Sequence, residues 1–169
     1  AGVQKSNLRQ LARQRMDDHG YTCDCIRCRE VGMNDEDPED VRLDTLTYEA
    51  GGGTEHFISY EDRSKDLLVG FARLRFPNDP TREELADAAI VRELHVYGNT
   101  VGVGDRGATG EVPDWQHKGY GKRLLGEAER RAREAGFGKL SVISGIGARE
   151  YYREKLGYEQ DGPYVSKEL

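Results

Sequence analysis

The sequence predicts one α/β domain with a mixed, mostly antiparallel sheet, preceded by a short helical and cysteine-rich segment. Apolar and polar residues alternate in several runs up to residue 96, which is the period of β-strands. Beyond them, segments with helical spacing alternate with short apolar runs, an order typical of helices packed on a sheet. A chain of 169 residues can bury one such core. We therefore divide it into residues 1–40, an N-terminal segment, and residues 41–169, the α/β domain.

The charge balance excludes a protein that binds its partner through a long-range positive electrostatic field. The chain has 25 basic and 31 acidic residues, a net charge of −6, and a mean hydropathy of −0.79. No apolar run is long enough to cross a bilayer, and no signal peptide opens the chain. We expect a soluble cytoplasmic protein without a membrane partner. The sequence begins inside a helical pattern, which indicates a fragment of a longer protein.

The first 18 residues have apolar positions near helical spacing, and Gly20 is a plausible end of that helix. Unlike the whole chain, the first thirty residues carry an excess of positive charge. The basic residues are Lys5, Arg9, Arg13, Arg15, Arg27 and Arg29. Such a run is either a solvated helix face or a surface that contacts RNA or another domain.

The three cysteines all lie in one short motif, with the spacing C-x-C-x-x-C over Cys23, Cys25 and Cys28. Three cysteines this close cannot form a disulfide framework, whereas three thiolates can converge on a metal ion such as zinc. His19 is the nearest candidate for a fourth ligand, and a ligand from another segment would serve equally well. The alternative is three reduced cysteines in a turn.

An acidic run at residues 35–40 follows and is expected to be an exposed linker. From Val41 the sequence VRLDTLTY alternates as a strand does, and the three glycines at 51–53 end it. Two further alternating runs, HFISYED and LLVGFARLRF, are joined by residues 63–66, which predicts an antiparallel hairpin. Pro77 ends the second of them.

The next run, AAIVRELHV at residues 88–96, predicts a central and largely buried strand. Thr81 and Glu84 have the spacing of a capping box before a short helical turn that precedes it. Glu93 and His95 lie inside the strand. Buried polar side chains require partners, so these two either face a cavity or are satisfied by structural contacts.

A loop that opens a long helix is the most informative stretch of the chain. Its glycines, in the pattern Gln116-x-x-Gly119-x-Gly121, allow a close approach of the backbone to a ligand, and the first helical turn offers unpaired N–H groups. These features suit a phosphate. The helix is expected to end at Gly136. Its apolar face consists of Leu124, Leu125, Ala128, Ala132 and Ala135.

The literal G-x-G-x-x-G pattern at residues 102–107 is interpreted as a loop. The dinucleotide fingerprint requires a glycine turn that opens a helix, and no helical pattern follows here. The C-terminal part is then predicted to contain the strand KLSVIS, the helix AREYYREKL ended by Gly157, and the strand PYVSKEL.

This arrangement, with Q-x-x-G-x-G opening a long helix after a central strand, resembles the GNAT acetyltransferase fold, whose loop amides hold the pyrophosphate of acetyl-CoA. Further strings resemble the C-terminal part of the family of the Elongator catalytic subunit and its archaeal counterparts. They are CDCIRCREVG, VRELHVYG, WQHKGYGKRLL, VISGIGAREYYREKLGY and GPYVSKEL. The resemblance covers most of the chain. One departure is Trp115, where the family usually has phenylalanine.

The resemblance implies three groups of functional residues. Tyr151 and Tyr152 would be catalytic, with a phenol that donates a proton to the leaving CoA thiolate, although core packing is the alternative for this pair. The cofactor-binding residues would be Glu93, Leu94, His95, Val96, Trp115, Gln116, His117, Lys118, Gly119, Tyr120, Gly121 and Tyr151. The zinc motif would be Cys23, Cys25 and Cys28.

The resemblance also implies a function, namely an acyltransferase domain that uses acetyl-CoA to build a carboxymethyl group on C5 of the tRNA wobble uridine. The family's radical-SAM half, with its iron–sulfur cluster and S-adenosylmethionine, is not expected here because the motif C-x3-C-x2-C is missing. Partners would be tRNA and Elongator-type subunits or a second copy. Two alternatives are a non-catalytic module that docks tRNA or a partner, and a general GNAT N-acetyltransferase.

Overall fold

The computed structural model describes residues 7–34, 36–97 and 119–169, and its strands form one sheet of seven. The strands are β1 Arg42–Glu49, β2 Gly53–Asp62, β3 Leu67–Pro77, β4 Ala88–Val96, β5 Lys139–Val142, β6 Glu159–Asp161 and β7 Tyr164–Glu168. The helices are α1 Leu8–Asp18, α2 Ile26–Arg29, α3 Tyr120–Glu134 and α4 Arg149–Leu156. The glycine-rich pattern at 102–107 and the predicted ligand residues Trp115, Gln116, His117 and Lys118 lie outside the described residues.

The strand order in the sheet is β1-β2-β3-β4-β5-β7-β6. All neighbouring pairs are antiparallel except β4 and β5, which run parallel and are connected through α3. The predicted mixed, mostly antiparallel sheet is therefore confirmed. So are the break after β1, although Gly53 already belongs to β2, and the hairpin between β2 and β3. The division of the chain at residue 40 stays a prediction.

Helix α3 covers the middle of the sheet and contacts β2, β3, β4 and β5. Its buried side chains are Tyr120, Leu124, Leu125, Ala128 and Ala132. Ala135, which the sequence placed on the same face, is exposed because it is already the C-terminal cap residue, followed by Gly136 in the left-handed region. None of the described helices has the length and apolar character needed to cross a membrane.

One local prediction is wrong, and one strand was not predicted. Thr81 does not begin a helix, since the short 3-10 turn Glu83–Leu85 starts after Arg82 and has no side-chain cap. Glu84 instead accepts a hydrogen bond from the Arg82 guanidinium at 2.8 Å. The strand that was not predicted is β6, a strand of three polar residues. It forms only because it pairs with β7 around a turn at Gly162.

Strand β4 is central, but only its first half, Ala88–Val91, is buried. Its register with β3 changes between Arg73 and Leu74, which face Glu93 and Val91 respectively. Arg92 is therefore an extra residue on β4, and the strand contains a β-bulge there. The sequence prediction of a largely buried strand holds only on the N-terminal side of this bulge.

Polar contacts and the buried Val31 side chain attach the N-terminal segment to the β2–β3 hairpin. Helix α1 ends as predicted, before Gly20, but has no buried residue. The acidic linker is mostly exposed, as expected, yet it is also anchored. The backbone N–H groups of Glu39 and Asp40 donate to the buried carboxylate of Asp62, at 2.9 and 3.0 Å.

Candidate functional site

A crevice opens where the parallel strands β4 and β5 separate. Their pairing runs from Ala88 to Val91, and the N–H of Ile143, just past β5, donates to the Val91 carbonyl at 2.9 Å. Strand β4 continues to Val96, and no described strand pairs with that half on the β5 side. In α/β sheets, ligands bind at the carboxyl ends of parallel strands where neighbouring strands diverge. The second half of β4 is thus an open edge able to pair with an extended ligand.

The backbone groups that face the crevice can be assigned from the alternation of strand hydrogen bonds. The N–H of Tyr97 donates to the Val69 carbonyl of β3 at 2.9 Å. Because each residue of an antiparallel strand directs its N–H and C=O to the same side, and the side alternates, His95 and Glu93 also face β3. Leu94 and Val96 therefore direct their backbone groups into the crevice. Of the four predicted ligand residues on β4, these two can pair with a ligand's amides.

The start of α3 lies beside the open end of β4. Gly119 is its cap residue, with φ of +76°, and a Cβ built there would meet no heavy atom within 4 Å. A Cβ on Gly121 would lie 3.7 Å from the Val96 side chain. The first turn contains no acidic residue. Its unpaired N–H groups and the helix dipole therefore favour an anionic group at the mouth of the crevice.

Tyr120 anchors this helix start in the domain. It is buried, its ring lies 4.7 Å from the ring of Tyr60, and the Arg123 guanidinium is 5.7 Å from its centroid. Tyr120 also belongs to a small apolar cluster with Val31 and Val69. Its position in the predicted ligand loop thus includes a packing role that fixes the first turn of α3.

The two adjacent tyrosines of α4 have different surroundings. Tyr152 is 7% exposed and packs in the core, with its ring 5.7 Å from that of Tyr158. Burial raises the pKa of Tyr152 to about 12, with a smaller contribution from neighbouring Tyr151. Tyr151 is 46% exposed. The core-packing alternative describes Tyr152, whereas the Tyr151 phenol is accessible to a ligand.

The side chains of Glu93 and His95 lie on the sheet face away from α3 and are exposed. Glu93 is 3.5 Å from the Arg73 guanidinium, and the His95 ring is near the rings of Phe71 and Tyr97, at 6.2 and 4.7 Å. Of the two possibilities left open by the sequence, structural contacts account for these groups.

The structure brings the three cysteines together. The Sγ atoms of Cys23, Cys25 and Cys28 all lie within 4.8 Å of one another, and the cluster could hold a metal ion. Zinc bound by thiolates at about 2.3 Å requires sulfur atoms roughly 3.8 Å apart, so a small contraction would complete three corners of a tetrahedron. Among the described residues, this cluster includes no histidine or carboxylate.

His19, the candidate fourth ligand, lies outside the cysteine cluster. Its Nδ1 is 2.8 Å from the Arg15 carbonyl, and its ring stacks on Tyr21 at 6.5 Å. Instead, the Arg9 guanidinium of α1 donates to Cys25 and Cys28 at 3.5 and 3.4 Å. Arg9 makes the largest contribution to lowering the pKa of Cys25 to about 6, followed by the Cys28 N–H and the neighbouring thiols. The sequence placed Arg9 in the basic run but did not predict its contact with the thiols, because that contact depends on how α1 folds back.

An ion-pair cluster that was not predicted from the sequence lies beside the bulge of β4. Glu55 of β2 is buried, and its Oε1 accepts hydrogen bonds from Arg75 at 2.9 Å and from Arg92 at 2.6 Å. Burial raises the pKa of Glu55, but the two guanidinium groups outweigh it and lower the pKa overall. Only the strand register, which is not evident from local sequence, could have indicated this cluster.

The sheet order, the divergence of β4 from β5 and the glycine-initiated helix at its mouth are together the features of the GNAT acetyltransferase fold. A family model supports this, because "Acetyltransferase (GNAT) family" matches residues 21–158. The chain belongs to this family.

Relatives extend the comparison over the whole chain. The chain is 50% identical over 178 aligned positions to "tRNA uridine(34) acetyltransferase" of Methanocaldococcus jannaschii, covering 99% of this chain and 32% of the relative. It is also 50% identical to "Elongator complex protein 3" of Drosophila melanogaster, covering 100% of this chain and 31% of that protein. The chain thus spans about a third of the length of these curated relatives.

A solved structure agrees with both the fold and the sequence relationship. Elp3 of Methanocaldococcus infernus, with an N-terminal deletion, superimposes with a TM-score of 0.84 at 46% identity. The match covers 99% of this chain and 40% of that chain. The resemblance expected from the sequence motifs is confirmed.

Proposed function

We propose that this chain is the acetyl-CoA-binding part of an Elongator-type tRNA uridine(34) acetyltransferase. In this proposal it supplies the acetyl group for C5 carboxymethylation of the wobble uridine, and the radical chemistry belongs to a separate part of the enzyme. The observation that carries the proposal is the open edge of β4 beside the start of α3, in a chain half identical to proteins of that name. Because tRNA is the substrate, the proposal includes a cytoplasmic location.

The residues of the crevice fit acetyl-CoA. The space at Gly119 and the unpaired N–H groups of the first α3 turn suit the pyrophosphate, together with the loop residues Gln116, His117 and Lys118. The backbone groups of Leu94 and Val96 suit the amides of the pantetheine arm, as an added strand would. Acetyl-CoA supplies an activated acyl thioester. The protein binds and orients it.

Tyr151 is the residue that we propose for proton transfer to the leaving thiolate. Its accessible phenol contrasts with the buried phenol of Tyr152. We assign Tyr152 the task of fixing the position of Tyr151 on α4.

The cysteine cluster would hold zinc in a structural role. Three thiolates occupy three positions, and the fourth ligand would come from outside the described residues. Metal analysis of the purified protein should find about one zinc per chain, and Cys25→Ser should abolish it. A protein that purifies with its three thiols free and takes up no added zinc would contradict the assignment.

The binding proposal is tested by calorimetry with acetyl-CoA on the wild type and on Gly119→Glu. The new carboxylate would stand where the pyrophosphate is expected, so affinity should fall at least about tenfold. Gly136→Glu is a matched control, because Gly136 also has positive φ and open space but lies at the other end of α3. Equal affinity in the wild type and Gly119→Glu would remove the proposed site.

The catalytic proposal is tested by thioester turnover with and without tRNA. Tyr151→Phe should lower turnover by about 10²-fold with little change in acetyl-CoA affinity, as expected for loss of a general acid. Tyr152→Phe keeps the ring that packs in the core and should retain turnover. If Tyr152→Phe were the inactive variant, the roles assigned here would be reversed.

A non-catalytic docking module is the second candidate, favoured by α1. This helix has no buried residue and presents Arg9, Arg13 and Arg15. Firm tRNA binding without thioester turnover under any condition would favour this candidate. Acetyl transfer to an amine in the absence of RNA would instead indicate a general N-acetyltransferase.

A further inference from the structure

The β-bulge of β4 lies where the crevice begins. Val91 is the last β4 residue paired with β5, and Arg92, the next residue, is the extra residue opposite β3. A bulge bends its strand and changes which backbone groups face each neighbour beyond it. The orientation of Leu94 and Val96 toward the crevice therefore depends on this single extra residue.

Both side chains of the bulge are held by opposite charges, one on β2 and one on β3. The Arg92 guanidinium donates to Glu55 of β2 at 2.6 Å, reaching across β3. Glu93 is 3.5 Å from Arg73 of β3. The side chains of Arg92 and Glu93 thus meet partners on the sheet face away from α3, although consecutive residues of a regular strand face opposite sides.

The pair of Arg92 with Glu55 is the stronger of the two contacts. The Glu55 side chain is 1% exposed and that of Arg92 is 43% exposed, whereas those of Arg73 and Glu93 are 36% and 45% exposed, so only the first pair contains a buried charge. A buried carboxylate that loses a cationic partner incurs a large desolvation penalty, whereas an exposed pair contributes little.

Arg75 shares Glu55 but has a different structural role. Its guanidinium donates to the carbonyl groups of Ala50 and Gly51 at 2.9 and 2.7 Å, so it also fixes the turn between β1 and β2. In the described residues, the only ion pair of Arg92 is with Glu55. The Glu55 carboxylate therefore supports two features. Through Arg75 it supports the turn between β1 and β2, and through Arg92 it supports the bulge.

We propose that the ion pair between Arg92 and Glu55 locks the β4 bulge and so keeps the backbone groups of Leu94 and Val96 turned into the crevice. This inference rests on the proposed function, because it makes Arg92 and Glu55 positioning residues for acetyl-CoA. Without the bulge, β4 would slip by one residue against β3. Strand alternation would then turn the backbone groups of Leu94 and Val96 toward β3.

The experiment compares Arg92→Met with Arg75→Met in calorimetry with acetyl-CoA and in residue-resolved amide hydrogen exchange. Arg92→Met should weaken acetyl-CoA binding about tenfold and speed exchange of the Tyr97 amide, which now donates to Val69, by a similar factor. Arg75→Met should lower the stability of the whole domain while leaving the affinity and the relative protection of Tyr97 unchanged. Arg92→Lys, which keeps the charge, should retain part of the acetyl-CoA affinity and part of the protection of the Tyr97 amide.

The two readouts separate the failure of the lock from failure of the proposed function. If the Tyr97 amide stays protected from exchange in Arg92→Met, or if it exchanges equally fast in Arg75→Met, the ion pair between Arg92 and Glu55 does not hold the bulge. This conclusion stands even where acetyl-CoA binds normally. If the wild type does not bind acetyl-CoA, the proposed function fails, and Tyr97 exchange still decides whether Arg92 holds the bulge.

Discussion

The region around α3 and residues 7–34 of the N-terminal segment reach their structures by different means. Helix α3 buries five side chains against four strands. Helix α1 buries none, and its Leu8 and Leu11 are 64% and 36% exposed. Apolar burial therefore determines the position of α3, whereas the N-terminal segment depends on polar contacts and on its thiols.

The contacts that hold the N-terminal segment are few and specific. Arg29 donates to Glu61 at 2.5 Å and to Asp66 at 2.6 Å, and both carboxylates belong to the β2–β3 hairpin region. Val31 adds one buried apolar side chain. A segment attached in this way can be released without unfolding the sheet, which a helix embedded like α3 cannot be.

The largest effect that tests this difference is expected for Leu124→Ala in α3. Leu124 is fully buried, so the substitution removes apolar contacts and leaves a cavity, and the free energy of unfolding should fall by about 2–5 kcal/mol. Leu11→Ala is the matched control on α1 and should change the free energy of unfolding by no more than about 0.5 kcal/mol. Urea unfolding measures both. Similar losses in the two variants would show that α1 is packed as firmly as α3.

A smaller effect is expected for Arg29→Met, which removes both ion pairs and leaves the buried Glu61 without that partner. The expected loss is about 1–3 kcal/mol, and limited proteolysis should cut residues 7–34 sooner while the sheet stays intact. Arg15→Met alters an exposed arginine of α1 and serves as the control. Unchanged cleavage in Arg29→Met would show that other contacts hold the segment.

The smallest effect concerns pH. Glu55 and Asp62 have pKa values below their ordinary ones, Glu55 because two guanidinium groups outweigh its burial and Asp62 chiefly because it accepts hydrogen bonds from Ser64 and from backbone N–H groups. Because the folded pKa values are depressed, this stabilisation is fully present above the unfolded values of about 4 and is lost as pH falls through the folded ones.

Unfolding followed by denaturant between pH 7 and pH 2.5 should show this loss below about pH 4. Asp62→Asn should be less stable than the wild type at pH 7 but should lose less stability on acidification. A variant that loses as much stability as the wild type over that range would show that Asp62 does not contribute to the pH dependence.

Register is the point at which prediction from the sequence stops. The hairpin between β2 and β3 was predicted, and its turn pairs Asp62 with Leu67. Continued without interruption, this register would place Glu55 opposite Leu74. The irregularity between Tyr60 and Glu61 shifts the register by one residue, and Glu55 faces Arg75 instead.

A similar limit applies to the candidate site. The helix start at Gly119, the cysteine cluster and the strand at residues 88–96 followed from local patterns of glycine, cysteine and alternating apolar residues. The contact of Arg9 with the thiols and the burial of Tyr152 but not Tyr151 did not, since both depend on segments distant in the chain.

The sequence by itself determined the class of fold, the main strands and helices, and the family, because hydrophobic periodicity, glycine positions and motif spacing are local properties. The tertiary structure alone decided which residues of β4 face the crevice. One extra residue in β4 reverses the side to which each backbone group after it points. The contact that holds this extra residue, Arg92, in the bulge is made by Glu55, which is 37 residues away in the chain.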